Sequence, residues 1–381
     1  MNKRQDFSVL SLSLITGAAT LLSAAIPYLT NYYSDTSVGT IESLVAIPSL
    51  GSILTIVLNH LVVKKLGMKR TVLLGVLIAA IFGMLPFVIS SLPFVFLFRF
   101  ILGLGIGLFS PHAISLISLL YDGQKKATLL GLQVGITALG NALFLLFASM
   151  IISKNWAYIY LLYGSLLVVF WLVVQFVPDR PLPSASKQQA SKPRISSKSA
   201  AYLLLCLWTF MIIYGVQFKI PTLLAGLPDG NEALGGVTLS LMNLAGLFAG
   251  LSFGPLLKRF PRSLFIAGYL GAGIMVLLLA FSTKSLVSMV SAIAFNFVYS
   301  FTGPFIILQL NTFTPKEEIV KINSLFSLVI IGSQFVAPIF WNTFIRVFAV
   351  STNQLLVWIA VFLGITGAAV KVTLVNYSPL S

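Results

Sequence analysis

Charge is scarce in this chain: of its 381 residues only 9% are charged, where a soluble domain carries roughly 25%. Acidic residues number 9, histidines 2 and cysteines 1, and each shortage removes a kind of chemistry. A lone Cys206 allows no internal disulfide, and His60 and His112 form no Cys/His cluster that could hold a metal. An enzyme inside a membrane would need clustered carboxylates, a Ser/His pair or metal ligands at depth. None is present, so no catalytic residue, metal or cofactor is expected. A glycine-rich phosphate loop closing on Lys-Ser or Lys-Thr is also missing, which argues against ATP as the energy source.

Apolar residues fill the space that charge leaves. They make up 58% of the chain, and the mean hydropathy is +1.00. Water could not solvate that much apolar surface, whereas a bilayer accepts helices of about 20 apolar residues. Runs of that length, separated by short polar breaks, predict twelve spans: 9–29, 39–63, 71–90, 93–120, 128–152, 156–177, 201–225, 235–257, 263–283, 285–313, 322–344 and 353–375. The first run follows Lys3 and Arg4 as a signal peptide would, but its length and the runs after it mark a retained helix.

The net charge of +15 would suggest nucleic acid in a soluble protein. Here it has a different cause. With the amino terminus placed inside, 19 basic residues fall on the inner side, and only Lys154, Lys284 and Arg346 fall outside. That asymmetry predicts cytoplasmic termini in a multi-pass protein of the cytoplasmic membrane, with the bilayer as partner and no nucleic acid. On this topology Trp156, Trp341 and Trp358 are expected near the outer interface and Trp171 and Trp208 near the inner one.

The fold class predicted is an all-α membrane protein of twelve transmembrane helices in two pseudo-symmetric six-helix bundles. The bundles cover 1–177 and 201–381, joined by a cytoplasmic linker, 178–200, rich in Pro, Ser, Lys and Gln. An internal repeat supports this division. Ile26-Pro27 matches Ile220-Pro221, and the same offset of 194 carries the loop Lys64–Lys69 onto Lys258–Ser263. Parallel six-helix repeats about an axis along the membrane normal are a recognised transporter plan.

Three motifs resemble the major facilitator superfamily. The loop from His60 to Arg70, with Lys64 and Lys65 in it, is similar to the family's G-x-x-x-D-R-x-G-R-R in its basic character and Gly67. It departs at His60 and Lys64, where the family has glycine and aspartate, so the acid of the family's cytoplasmic latch is absent. The second copy keeps Gly254 and again has a base, Lys258, at the acidic position. In the fourth span, Arg99-x-x-x-Gly103-x-Gly105-x-Gly107 resembles the family's R-x-x-x-G-x-G-x-G. Arg99, Gly103, Gly107 and Pro111 recur every four residues and share one helix face. Gly131-x-x-x-Gly135 in the fifth span is similar to the glycine-rich helix of the family's antiporters, without the proline that would follow Gly135.

This resemblance implies a secondary transporter, not an enzyme. Two halves would alternate access to a central cavity lined mainly by spans 1, 4, 7 and 10. A monomer exporting a small organic compound in exchange for protons is the reading favoured by the antiporter-like glycines. Uptake or exchange of an organic anion is the alternative, favoured by the cations Arg99 and Lys219. The candidate substrate-binding residues are Arg99, Lys219, Tyr28, Gln217, Asn296 and Tyr299. Glu42, His112 and Arg99 are candidates for proton coupling, and Lys64, Lys65, Gly67, Gly103, Gly107 and Gly135 for conformational roles. Arg99 lies roughly 9 Å inside the predicted outer boundary. A charge at that depth needs water or a partner, and exposure to the cavity is expected. No carboxylate lies near the membrane centre, which argues against cationic drugs as substrates.

Overall fold

The computed structural model describes residues 3–121, 123–152, 154–177, 196–260, 263–315 and 319–374. Most of the predicted linker, 178–195, lies outside the described residues, as do Arg262 and Lys316. Among the described residues all regular structure is helical, and 12 helices are long and apolar enough to cross a membrane. They are α1 (Arg4–Tyr32), α2 (Val38–Leu66), α3 (Met68–Phe87), α4 (Leu92–Ile117), α5 (Gly135–Ile152) and α6 (Trp156–Phe176). Then come α7 (Ser197–Ala225), α8 (Glu232–Arg259), α9 (Ser263–Phe281), α10 (Ser285–Thr312), α11 (Ile322–Phe348) and α12 (Thr352–Val370). The helix that contains α5 begins earlier, at Gly123.

Side-chain caps fix several helix starts by accepting backbone N–H groups that have no partner within the helix. Ser37 accepts from Thr40 at 3.2 Å, and Asn231 accepts from Ala233 and Leu234 at 3.0 and 3.1 Å. The turn from α2 to α3 hinges on Gly67, with φ +79° and ψ 160°, a conformation open to glycine and strained for other residues.

The chain divides into two compact units, Met1–Lys192 and Pro193–Ser381, with six spans in each. In unit 1 small residues let backbones touch. A Cβ on Gly103 would sit 2.1 Å from the Pro48 carbonyl oxygen, and one on Gly51 would sit 2.4 Å from the Phe100 carbonyl oxygen. Gly75 of α3 and Gly105 of α4 face each other in the same way. With no hydrophobic driving force between helices in lipid, such close approach is what holds them.

Unit 2 packs on rings. Phe265 stacks on Phe305 with centroids 4.1 Å apart, and Tyr269 lies edge-on to Tyr299 at 5.6 Å.

Four spans are irregular in ways that hydropathy does not reveal, α3 only in its last residues, Leu85–Phe87, which are wound as 3-10 helix. Ile15–Ala25 in α1 and Trp156–Ser165 in α6 are wound as 3-10 helix. The tenth span, expected to be continuous, breaks between Tyr299 and Thr302. The tryptophan expectation also needs correction. Topology assigns Trp208 and Trp341 to opposite interfaces, yet their rings lie 6.0 Å apart. Trp341 is fully buried and donates Nε1–H to the Met211 carbonyl at 2.8 Å. An indole with a backbone acceptor has no need of the interface.

Candidate functional site

The sequence candidates fall into two groups, one in each unit. In unit 1, Arg99 enters from α4 and is only 1% exposed. Its Nη1 donates to the Tyr163 hydroxyl at 2.7 Å, and its Nη2 donates to Val45 O at 2.7 Å and Ala19 O at 3.1 Å. Nε reaches Leu44 O at 3.4 Å. The expected water-facing arginine is therefore enclosed by α1, α2 and α6. Carbonyl dipoles and a phenol solvate the guanidinium in place of water, which is how a charge is tolerated at membrane depth. Glu42, on α2, is also fully buried.

His112 follows Pro111 on α4, little more than one turn beyond Gly107, and is 6% exposed. Its Nε2 is 2.9 Å from Asn59 Oδ1. Asn59 directs its Nδ2 hydrogens to Gly107 O at 3.0 Å and Leu108 O at 3.2 Å, so its Oδ1 must accept. His112 therefore carries a hydrogen on Nε2, and its buried Nδ1 has no partner.

In unit 2, Lys219 on α7 is 3% exposed and donates Nζ–H to Asn342 Oδ1 on α11 at 2.8 Å. Asn342 in turn donates Nδ2–H to Pro338 O at 2.7 Å. Gln217 donates Nε2–H to Asn296 Oδ1 at 3.3 Å, and Asn296 donates Nδ2–H to Met242 O at 2.6 Å. Tyr299 is buried and donates to the Thr209 carbonyl at 3.0 Å. The structure thus brings Gln217 and Asn296 together, while Tyr299 joins a separate network with Thr209 and Tyr269, whose hydroxyls are 2.6 Å apart. Tyr28 is half-buried, on the helical turn after the 3-10 segment of α1.

The conformational candidates are spread along unit 1. Lys64 and Lys65 are exposed at the end of α2, just before Gly67. Gly103 and Gly107 face α2, and a Cβ on Gly107 would meet Thr55 Oγ1 at 2.1 Å. Gly135 is part of the helix that includes α5.

Three important residues are absent from the sequence candidates: Asn59, Tyr163 and Asn342. Asparagines inside apolar runs are the available signal, since a buried amide must find partners.

Outside the spans, two groups have displaced ionisation with clear causes. Asp229 accepts from the Ser285 backbone N–H at 2.9 Å and from its hydroxyl at 2.8 Å, and these bonds hold its carboxyl below the usual carboxylate range. Tyr33 donates to the Ser90 carbonyl, and burial, followed by its neighbour Tyr32, pushes its phenol up to about 12.

The comparisons with known proteins agree with this architecture. No curated protein matches the chain. Among solved structures, it is similar to a D-xylose–proton symporter, with TM-score 0.77 and 15% identity over 99% of this chain and 98% of that one. It is also similar to a bacterial homolog of the human lysosomal transporter Spinster, in an inward-facing and occupied conformation. That match has TM-score 0.77 and 13% identity over 98% of each chain. A nucleoside transporter matches with TM-score 0.75 and 13% identity over 98% of this chain and 99% of that one. At such identities the likeness shows the fold alone. The Major Facilitator Superfamily model matches residues 8–338, most of the length. The chain belongs to the Major Facilitator Superfamily and is a multi-pass membrane transporter rather than an enzyme.

Proposed function

We propose that the chain exports a small organic compound by alternating access, in exchange for protons, as a monomer in the cytoplasmic membrane with both termini inside. The observation that carries proton coupling is the state of His112. Its Nε2–H is engaged by Asn59, while the Nδ1 lone pair is buried without a partner. An unmet acceptor in a buried site costs about 1–3 kcal/mol. A proton arriving at Nδ1 in another conformation would use it. Glu42 is a second proton candidate.

Solute contact falls to Lys219, Gln217 and Tyr28. Arg99 and Tyr299 give their hydrogens to groups of the protein, and Asn296 gives its Nδ2–H to Met242 O. Export is favoured over uptake by the antiporter-like glycines that end at Gly135. The second reading, uptake or exchange of an organic anion, is favoured by Lys219, a buried ammonium held by the neutral amide of Asn342.

The test is proton flux in liposomes that hold the protein and a pH-sensitive dye, with organic cations, anions and neutral amphipaths added in turn. One solute class should drive protons, and His112→Gln should abolish that flux while solute counterflow persists. Solute movement with no proton movement would overturn the coupling. Flux driven by anions alone and lost in Lys219→Met would favour the second reading.

A further inference from the structure

Pro48 interrupts α2 and Pro111 interrupts α4. Proline has no N–H, so each leaves the carbonyl four residues earlier without its helical donor. Those carbonyls are Leu44 O and Gly107 O. In a bilayer a released carbonyl must be satisfied by protein, since no water is at hand.

In both cases the donor comes from the facing helix. Arg99 of α4 gives Nε–H to Leu44 O at 3.4 Å and Nη2–H to the next carbonyl, Val45 O, at 2.7 Å. Asn59 of α2 gives its amide hydrogens to Gly107 O at 3.0 Å and to the next carbonyl, Leu108 O, at 3.2 Å. The two arrangements repeat in reverse: a proline, the carbonyl it frees, the carbonyl after it, and a donor from the opposite helix. Between them Ser52 donates to Gly103 O at 3.0 Å and Thr55 to Leu104 O at 2.9 Å. Gly103 and Gly107 bring the two backbones close enough for these bonds, and a Cβ on either would collide with α2.

We propose that Arg99 and Asn59 are reciprocal braces over the proline breaks of α2 and α4, and that these helices move as one rigid lever during transport. Each nitrogen of the Arg99 guanidinium is held by protein, so Arg99 is a positioning residue and does not receive the solute. The same group also attaches the 3-10 segments of unit 1 to the lever, through Ala19 in α1 and Tyr163 in α6. This inference is independent of the solute and of proton coupling.

The test is a crossed set of double variants of the full chain in lipid nanodiscs, read by melting temperature and by local amide exchange. Pro48→Ala returns an N–H to Leu44 O, and Pro111→Ala returns one to Gly107 O. Arg99→Met is expected to lower Tm and to speed exchange near 44–49. Pro48→Ala should recover part of both losses, and Pro111→Ala should recover neither. Asn59→Leu is expected to lower Tm and loosen 107–112, with recovery by Pro111→Ala and not by Pro48→Ala. If Arg99→Met does not accumulate, the Asn59 and Pro111 pair decides. Matched pairs that add no differently from crossed pairs would overturn the braces. An Arg99→Met protein with unchanged Tm and exchange but a raised KM for solute would return Arg99 to the binding site.

Discussion

Unit 1 and unit 2 share a register of 194 residues, yet they join corresponding helices by different means. In that register Gly103 and Gly107 of α4 correspond to Phe297 and Phe301 of α10, and Arg99 corresponds to Ile293. Where α4 lies backbone to backbone on α2, α10 carries rings: Phe297 sits edge-on to Phe301 at 5.3 Å, and Phe301 joins a cluster with Ala249 and Leu264. The α8–α10 pair also leaves an apolar groove of about 440 Å³, lined by residues that include Ala245, Phe248 and Phe297. A neutral amide, Asn296 on Met242 O, crosses that pair, while the α2–α4 pair has the Arg99 cation in addition to Asn59, Ser52 and Thr55. Glycine contacts tolerate no change of distance, whereas ring contacts can slide and re-pack. The matching helix pairs therefore differ in how they pack, and on the rigid-lever proposal they should differ in stiffness.

The comparison is broken most severely by Gly103→Val. Its Cβ would press on the Pro48 backbone, which cannot yield as a flexible side chain would. Overpacking of this kind costs up to about 3 kcal/mol or more. A large fall in Tm is expected in unit 1, while Phe297→Leu at the matching position should give a much smaller fall in the same assay.

Trp341→Phe comes next. It removes the Nε1–H bond to Met211 O and leaves a gap where the buried indole filled the unit 2 core, at a cost of about 1–3 kcal/mol. Thermal melts should show the loss, and amide exchange should place it in unit 2 around α7 and α11.

Gly67→Ala isolates backbone strain, because nothing lies within 4 Å of the added Cβ. At φ +79° the cost is about 1–3 kcal/mol. It should speed exchange at the start of α3 and leave unit 2 untouched.

The smallest effect belongs to Asp229, which is exposed. The Ser285 N–H and then its hydroxyl depress the folded carboxyl. Its contribution is therefore complete above the ordinary value of about 3.9 and is lost as pH falls through the depressed one. Exchange at the start of α10 should quicken across that acid range, and Asp229→Asn should abolish the dependence.

Much of this architecture is legible in the sequence. Hydropathy along the chain yields the spans, because a bilayer demands length and apolarity of every helix. The four-residue spacing of Gly103, Gly107 and Pro111 announces a contact face before its partner is known. The partner is where sequence reasoning stops. Nothing near Arg99 points to Leu44, 55 residues away, although Pro48 guarantees that some donor must come to that carbonyl. Arg99 reads as a charge in search of water as long as the missing proline donor is not counted as a need of the helix. The 3-10 winding of Ile15–Ala25 leaves no mark in a run of small and apolar residues. Trp341 departs from its expected place because indole preference for interfaces yields to a buried carbonyl acceptor, and Trp208 beside it gives its Nε1–H to the Thr366 hydroxyl.

Amide hydrogen exchange resolved along the chain, in lipid, tests the unequal stiffness of the two units most directly. Residues 44–59 and 99–112 should exchange slowly and as one cooperative block, well behind 242–253 and 290–301 in unit 2. Equal rates in the two pairs, or faster exchange in the α2–α4 pair, would contradict the rigid lever.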